Sequence, residues 1–341
     1  MGTIVAVGLM VGMLAGPPDH NRDLNRFEFT RTEMAVSVSI IMYAPDDATA
    51  ATAANAAFDR IHQLNSILSD YEEESELRRL CDRSSEGHPV PVSNDLWRVL
   101  QHALELSAKT EGAFDVSVGP AARLWRRARR LKELPSPEAL KTALARVDYR
   151  AIRLHPDGHT VELLKPNMLL DLGGIAKGYA LEEAYKVIKE HGIGRVLVRA
   201  GGDMVLGDSP PGKHGWRIGV GQIDPEKPPR LFLWLSNVEI ATSGDRFQFV
   251  EIGGKRYSHI IDPKTGLGLT DHCQATVVVP GGTLADGLAS SICIMGPEKG
   301  LQMLEKIPGA AAYLITRPEQ TGKEEVRRSE RWKNLPLAEK E

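Results

Sequence analysis

Strand-like and helix-like stretches in this 341-residue sequence come in bunches and do not alternate one for one. A doubly wound parallel sheet needs a crossover helix after nearly every strand, so the bunching argues against it. It favours an α+β class, with mostly antiparallel sheets flanked by helices in one large two-lobed domain. Residues 26–43 alternate in apolar character and predict two strands with a turn near Thr32-Glu33. Asp46 and Asp47 cap a helix to about Leu68, Ser93 or Asn94 opens another that ends before Gly112, and Ser136-Pro137 opens a third to about Arg146. Residues 147–170 predict strands around a Pro156-Asp157-Gly158 turn, and a helix runs from near Gly174 to Gly192. Strand-like runs follow at Arg195–Arg199, Trp216–Gly221, Leu231–Leu235, Phe247–Ile252, Tyr257–Ile261 and Gln274–Val279. Thr283 is the expected cap of a helix through Cys293; a helix over Glu298–Lys306 and a last strand at Ala311–Ile315 complete the reading.

Composition narrows the function classes. A net charge of −3 argues against a general nucleic-acid binder. The chain is long enough for a sizeable core without a metal or disulfide staple. Cys81, Cys273 and Cys293 are too few and too scattered for a disulfide framework or a zinc cluster; the odd count leaves at least one unpaired, and an internal disulfide is compatible with export without being required. Ile4–Ala15 is an apolar run too short to span a bilayer. It has the look of a secretory h-region, although no Lys or Arg precedes it. Residues 1–18 are therefore set apart as a signal-like segment, the only part suited to membrane association. Residues 26–316 form the folded unit, and the charge-rich residues 317–341 predict a solvated or partly disordered tail.

Five segments carry chemistry-bearing residues, and each has an ordinary structural reading beside a functional one. Gly112-Ala113-Phe114-Asp115 after a helix either stops that helix or lines a cleft. Asp171-Leu172-Gly173-Gly174-Ile175-Ala176-Lys177 reads as strand, turn and helix start, where backbone N–H groups and a lysine favour anions; neither the P-loop nor the dinucleotide glycine spacing is present. In Tyr257–Gly266, read as a strand entering a turn, His259 is either a satisfied core histidine or a proton carrier beside Asp262. Asp286 and Ser290 stand four apart on a predicted helix, so both oxygens share one face. Such an oxygen-only pair suits magnesium with phosphate, while the plainer reading is a first-turn aspartate complementing the helix dipole. The basic run Arg123–Lys132 reads as a solvated helix face or a docking surface for acidic groups.

The order of Leu68-Ser69-Asp70-Tyr71, Gly112-Ala113-Phe114-Asp115, Asp171–Ala180, Gly201-Gly202-Asp203, Ala241-Thr242-Ser243-Gly244-Asp245, His259–Gly266 and Ala285–Ser290 resembles the ApbE family of FAD:protein FMN transferases, from about Arg31 to Ile315. The resemblance implies that FAD is the substrate and magnesium the cofactor. FMN would be attached through its phosphate to a Ser or Thr of an acceptor flavoprotein, and AMP would leave. It also implies export to the periplasm or cell envelope. Residue by residue, Met34, Tyr71, Ala113, Phe114, Asp115, Asp171, Lys177 and Ile260 match FAD-contacting positions. Gly174 (through its carbonyl), Asp286, Ala289 and Ser290 match the metal positions, and His259 is the candidate base for the acceptor hydroxyl. The sequence departs from the family pattern in four places: Met34-Ala35-Val36 replaces Met-Gly-Thr, Arg199 stands where Asn precedes Gly-Gly-Asp, Ser290 replaces the metal threonine, and Leu267-Gly268-Leu269 follows Asp-Pro-Lys-Thr-Gly where the family often has a proline. A FAD pyrophosphatase and a non-catalytic FAD-binding protein are the alternative readings.

Overall fold

The computed structural model describes residues 24–84, 88–221, 223–224, 226–246, 248–281 and 284–339. The signal-like segment and the expected Thr283 cap lie outside them. In chain order the elements are β1 (Asn25–Glu33), β2 (Val36–Ala44), α1 (Asp47–Leu68), α2 (Glu76–Ser84), β3 (Val90–Pro91), α3 (Asn94–Lys109), α4 (Gly119–Leu131), α5 (Pro137–Leu144), β4 (Ile152–His155), β5 (Thr160–Leu163), α6 (Ala176–Glu190), β6 (Val196–Ala200), β7 (Asp203–Leu206), β8 (Trp216–Val220), β9 (Leu231–Leu235) and β10 (Val238–Gly244). They continue with β11 (Phe249–Ile252), β12 (Lys255–Ser258), β13 (Ile261–Asp262), β14 (Leu267–Gly268), β15 (His272–Val279), α7 (Ala285–Met295), α8 (Pro297–Glu305), β16 (Ala311–Arg317), β17 (Glu325–Arg328) and β18 (Leu337–Ala338).

An eight-stranded sheet in the order β1-β2-β6-β7-β10-β15-β16-β17 organises the molecule. Every neighbouring pair in it is antiparallel. Its inner strands are buried on both faces, and period-2 alternation sorts their side chains between two cores. Val196, Val198, Ala200 and Ala241 face a helical layer that includes α1, α6 and α7. Leu197 and Ile240 face the other way, onto the small sheet β18-β9-β8. The result is sheet, sheet and helices, the mixed antiparallel class read from the bunched strands. A satellite cluster of Trp125, Val250 and Tyr257 joins α4 to the β11–β12 hairpin.

Local signals explain most boundaries. Asp46 caps α1 by accepting from the Thr49 N–H at 2.8 Å, and Ser93 and Ser136 cap α3 and α5. Three expectations change. The first hairpin turns at Met34-Ala35, later than Thr32-Glu33, and both residues have positive φ (49° and 59°). That is the primed two-residue turn that suits strand twist, and glycine would occupy it more comfortably than Ala35. The strand predicted through Tyr257–Ile261 breaks at His259-Ile260 into β12 and β13. The tail is not disordered: β17 pairs with β16, β18 pairs with β9, and Trp332 is buried against Tyr313 with ring centroids 5.3 Å apart. Charge-rich composition misled because Trp332 and Ala338 still reach buried positions, while Val326 and Leu337 stay exposed. Cys273 and Cys293 form a disulfide between β15 and α7, and Cys81 is free and buried.

Candidate active site

Strand register gathers distant motifs at one edge of the large sheet. Val38 pairs with Ala200, Ala200 with Asp203, and Asp203 with Ala241. The hairpin tip, the Gly201-Gly202 turn and the Thr242–Gly244 end of β10 therefore lie side by side. A side chain on Gly202 would strike the Thr242 carbonyl, which accounts for that glycine. Lys177, in the first turn of α6, reaches this edge. Its Nζ donates to Asp203 Oδ2 at 2.5 Å and to Asp286 Oδ2 at 2.8 Å. Asp203 is 4% and Asp286 3% exposed, so two carboxylates taken from water share one ammonium. Burial and the neighbouring Asp286 push Asp203 up, against the pull of Lys177. The two carboxylates hold Lys177 above the usual lysine range although burial alone would lower it.

A second ionic cluster flanks the first. Arg126 donates to Asp70 and, at 2.6 Å, to Asp171 Oδ2; its guanidinium lies 4.2 Å from the Tyr71 ring centroid. Tyr71 is itself 74% exposed, a large ring offered to solvent. Burial, then the nearby Asp70, raises Asp171 despite Arg126. The basic run is thus not one solvated face. Trp125 turns inward and donates to the Ser258 carbonyl at 3.1 Å, and Arg126 is ion-paired, while Arg123, Arg127 and Arg130 stay exposed. His259 is half-buried at the strand break, with Nδ1 3.1 Å from the Gln248 carbonyl. That carbonyl accepts the Nδ1 proton, so the neutral ring keeps its lone pair on Nε2. Burial is the main reason its pKa falls to about 4.

Comparison with known proteins decides the family. The family model described as "ApbE family" matches residues 34–315. The chain belongs to the ApbE family. An ApbE relative from Treponema pallidum, named FAD:protein FMN transferase, is 30% identical over 329 residues, covering 91% of this chain and 90% of its own. One of the same name from Haemophilus influenzae is 33% identical over 265 residues, covering 75% and 76%. The solved flavin transferase ApbE from Vibrio cholerae superposes with a TM-score of 0.82 at 27% identity, over 92% of this chain and 99% of that one. The apo flavinyl transferase ApbE from Pseudomonas stutzeri gives 0.81 at 25% identity, over 93% and 98%.

The ApbE positions carried from the sequence fall into different settings. Lys177 and Asp286 meet directly. Asp171 and Tyr71 meet through Arg126. Phe114 packs on the turn before α6: its ring edge is 3.2 Å from where a Cβ on Gly174 would stand, so a side chain there would crowd it. Ala113 is buried beside it. The Asp115 carboxylate is engaged within the chain, accepting from the Ser117 N–H and hydroxyl and from the Tyr149 N–H at 2.8, 2.6 and 3.2 Å. It braces the loop that presents Phe114. Ile260 is a core side chain whose N–H donates to Ser258 Oγ and whose carbonyl accepts from Leu269. Met34 is half-buried in the hairpin turn. Sequence reading passed over Arg126, Asp70, Asp203 and Ser243. The last three sit in motifs already quoted, and Arg126 was hidden in a run of like charges.

The magnesium ion that an ApbE resemblance implies can be tested against the donors. Among the described residues no three His, Cys, Asp or Glu side chains group at metal-ligand spacing. A divalent ion must therefore draw on neutral oxygens as well. Those are at hand: Ser290 follows Asp286 by one turn of α7, with Ala289 buried between, and the Gly174 carbonyl lies 3.3 Å from the position a Cβ on Gly287 would take. One carboxylate, one hydroxyl and one carbonyl form a hard donor set that fits magnesium.

Proposed function

We propose that this chain transfers FMN from FAD to a Ser or Thr hydroxyl of an acceptor protein, with magnesium required and AMP released. In that reaction the acceptor oxygen bonds to the FMN phosphorus as the bond from that phosphorus to the bridging oxygen breaks. AMP departs with the bridging oxygen, and the acceptor hydroxyl gives up its proton. The observation that carries the reading is the meeting of Lys177, Asp203 and Asp286 on two helix starts and one strand, beside Ser290 and the Gly174 carbonyl. Phosphoryl transfer asks mainly for positioning and charge neutralisation; this cluster would supply the first, and with magnesium bound the second.

Asp286, Ser290 and the Gly174 carbonyl, with Ala289 alongside, would hold the magnesium ion. When bound, that ion would offset negative charge on the diphosphate oxygens. Lys177 presents a cation at the start of α6, where backbone N–H groups also favour anions. Tyr71, backed by the Arg126 guanidinium, offers an exposed ring for the flavin end, and Phe114 packs beneath the Gly174 turn that would contribute its carbonyl to the metal. His259, held neutral by burial and with its lone pair on Nε2, is the group we assign to take the acceptor proton. The relatives' names support FAD as donor and a protein as acceptor. Export is supported by the buried Cys273–Cys293 disulfide, which fits an oxidising compartment, and by the apolar Ile4–Ala15 run. Among the described residues no helix is long and apolar enough to cross a membrane.

The Asp286→Asn variant tests the site. FAD binding, followed by flavin fluorescence, should survive, while covalent flavin on a co-incubated acceptor should fall below detection. A variant that keeps the parent rate at saturating magnesium places the metal elsewhere. AMP released at an undiminished rate without acceptor makes hydrolysis the main reaction.

A further inference from the structure

Two adjacent serines on α7 use their hydroxyls differently. Ser291 donates to the Gly287 carbonyl four residues back, at 2.6 Å, the ordinary fate of a helix serine. The same choice was open to Ser290, whose i−4 carbonyl belongs to Asp286. Instead Ser290 Oγ lies 2.8 Å from Ser243 Oγ on β10. Ser243 is held by the sheet: its neighbours Thr242 and Gly244 are registered against Thr276 and Gln274 of β15. On the same face of β10, Ala241 is fully buried in the main core beneath the helices. The disulfide at Cys293, three residues after Ser290, fixes α7 to β15 next to this contact.

From this contact we infer that Ser243 is a positioning residue for the metal site. It accepts the Ser290 proton, which leaves both Ser290 lone pairs for a cation shared with Asp286. The inference rests on the proposed magnesium site and explains one of the sequence departures. Threonine, the family residue at this position, has two heavy atoms on Cβ and few χ1 options. Serine lacks that restraint, and the hydrogen bond it donates to Ser243 of β10 restores it.

Mn2+ counted by electron paramagnetic resonance is the probe, titrated into FAD-loaded full-length protein. Ser243→Ala should weaken Mn2+ binding by about tenfold, the usual cost of removing a group that orients a ligand. FAD binding measured without metal should not change. Adding Ser290→Thr to Ser243→Ala should recover most of the lost affinity, because the branched side chain supplies its own restraint. Unchanged Mn2+ affinity in Ser243→Ala, or no recovery in the double variant, overturns the role of Ser243 alone. A parent protein that binds no Mn2+ overturns the metal site, and this inference with it.

Discussion

Lys177 and His259 show opposite ways in which burial sets charge. Lys177 keeps its proton because two carboxylates surround it, whereas His259 has a backbone carbonyl and nearby cations and stays neutral. Two consequences for His259→Asn follow. Transfer should slow while FAD affinity holds, since Nε2 is lost and the flavin contacts are not; an unchanged transfer rate would remove His259 from the proton path. The second concerns stability. The folded-state pKa of about 4 lies below the ordinary histidine value of 6.5, so between those limits the unfolded chain binds a proton that the folded chain refuses. His259 therefore costs nothing above pH 6.5 and destabilises progressively down to pH 4. Urea unfolding at pH 7 and pH 4.5 should show the variant losing less stability than the parent on acidification; equal losses would contradict the assigned shift. At this scale the motifs named the right neighbourhoods but not the partners. The pairings of Asp203 with Lys177 and of Arg126 with Asp171 were invisible because an ion pair across 26 or 45 residues leaves no periodic trace in sequence.

The element that matters most is α7. It carries Asp286 and Ser290, packs along β10 and β15, and is pinned by a disulfide closing a 20-residue separation. Chain-entropy reasoning gives such a loop about 3 kcal/mol of stabilisation. Replacing Cys273 and Cys293 together with alanine should lower the unfolding free energy in urea by about that amount. No loss would mean that packing alone holds the helix. The helices were largely legible, since α1, α3 and α5 announce themselves by caps and apolar spacing. The central strands β7 and β10 were not. β7 has only four residues, and β10 reads Val-Glu-Ile-Ala-Thr-Ser-Gly, with Glu239 buried and the Thr and Ser hydroxyls paired across to β15 and α7. Hydroxyls satisfied by tertiary partners, beside a buried glutamate, look like a loop when only the sequence is read.

Over the whole molecule, the antiparallel sheet acts as a frame on which the chain hangs successive excursions. The excursion between β2 and β6 carries Tyr71, the Phe114 loop, Arg126, Asp171 and Lys177; the one between β10 and β15 carries His259; the one between β15 and β16 carries Asp286 and Ser290. Long-range pairing of that kind explains why the fold class was readable from bunched strands while the strand order was not. It also explains the ordered tail, whose Trp332 and β18 complete the small sheet behind the frame. On the proposed function, this assembly breaks FAD and moves its FMN half onto a protein. Intact-mass spectrometry of a candidate acceptor, incubated with the protein, FAD and magnesium, tests it most directly. The acceptor should gain one FMN unit on a single Ser or Thr, with one AMP released per modified acceptor and no gain when FAD or magnesium is omitted. An acceptor that stays unmodified while FAD is consumed, or one modified equally well without magnesium, would contradict it.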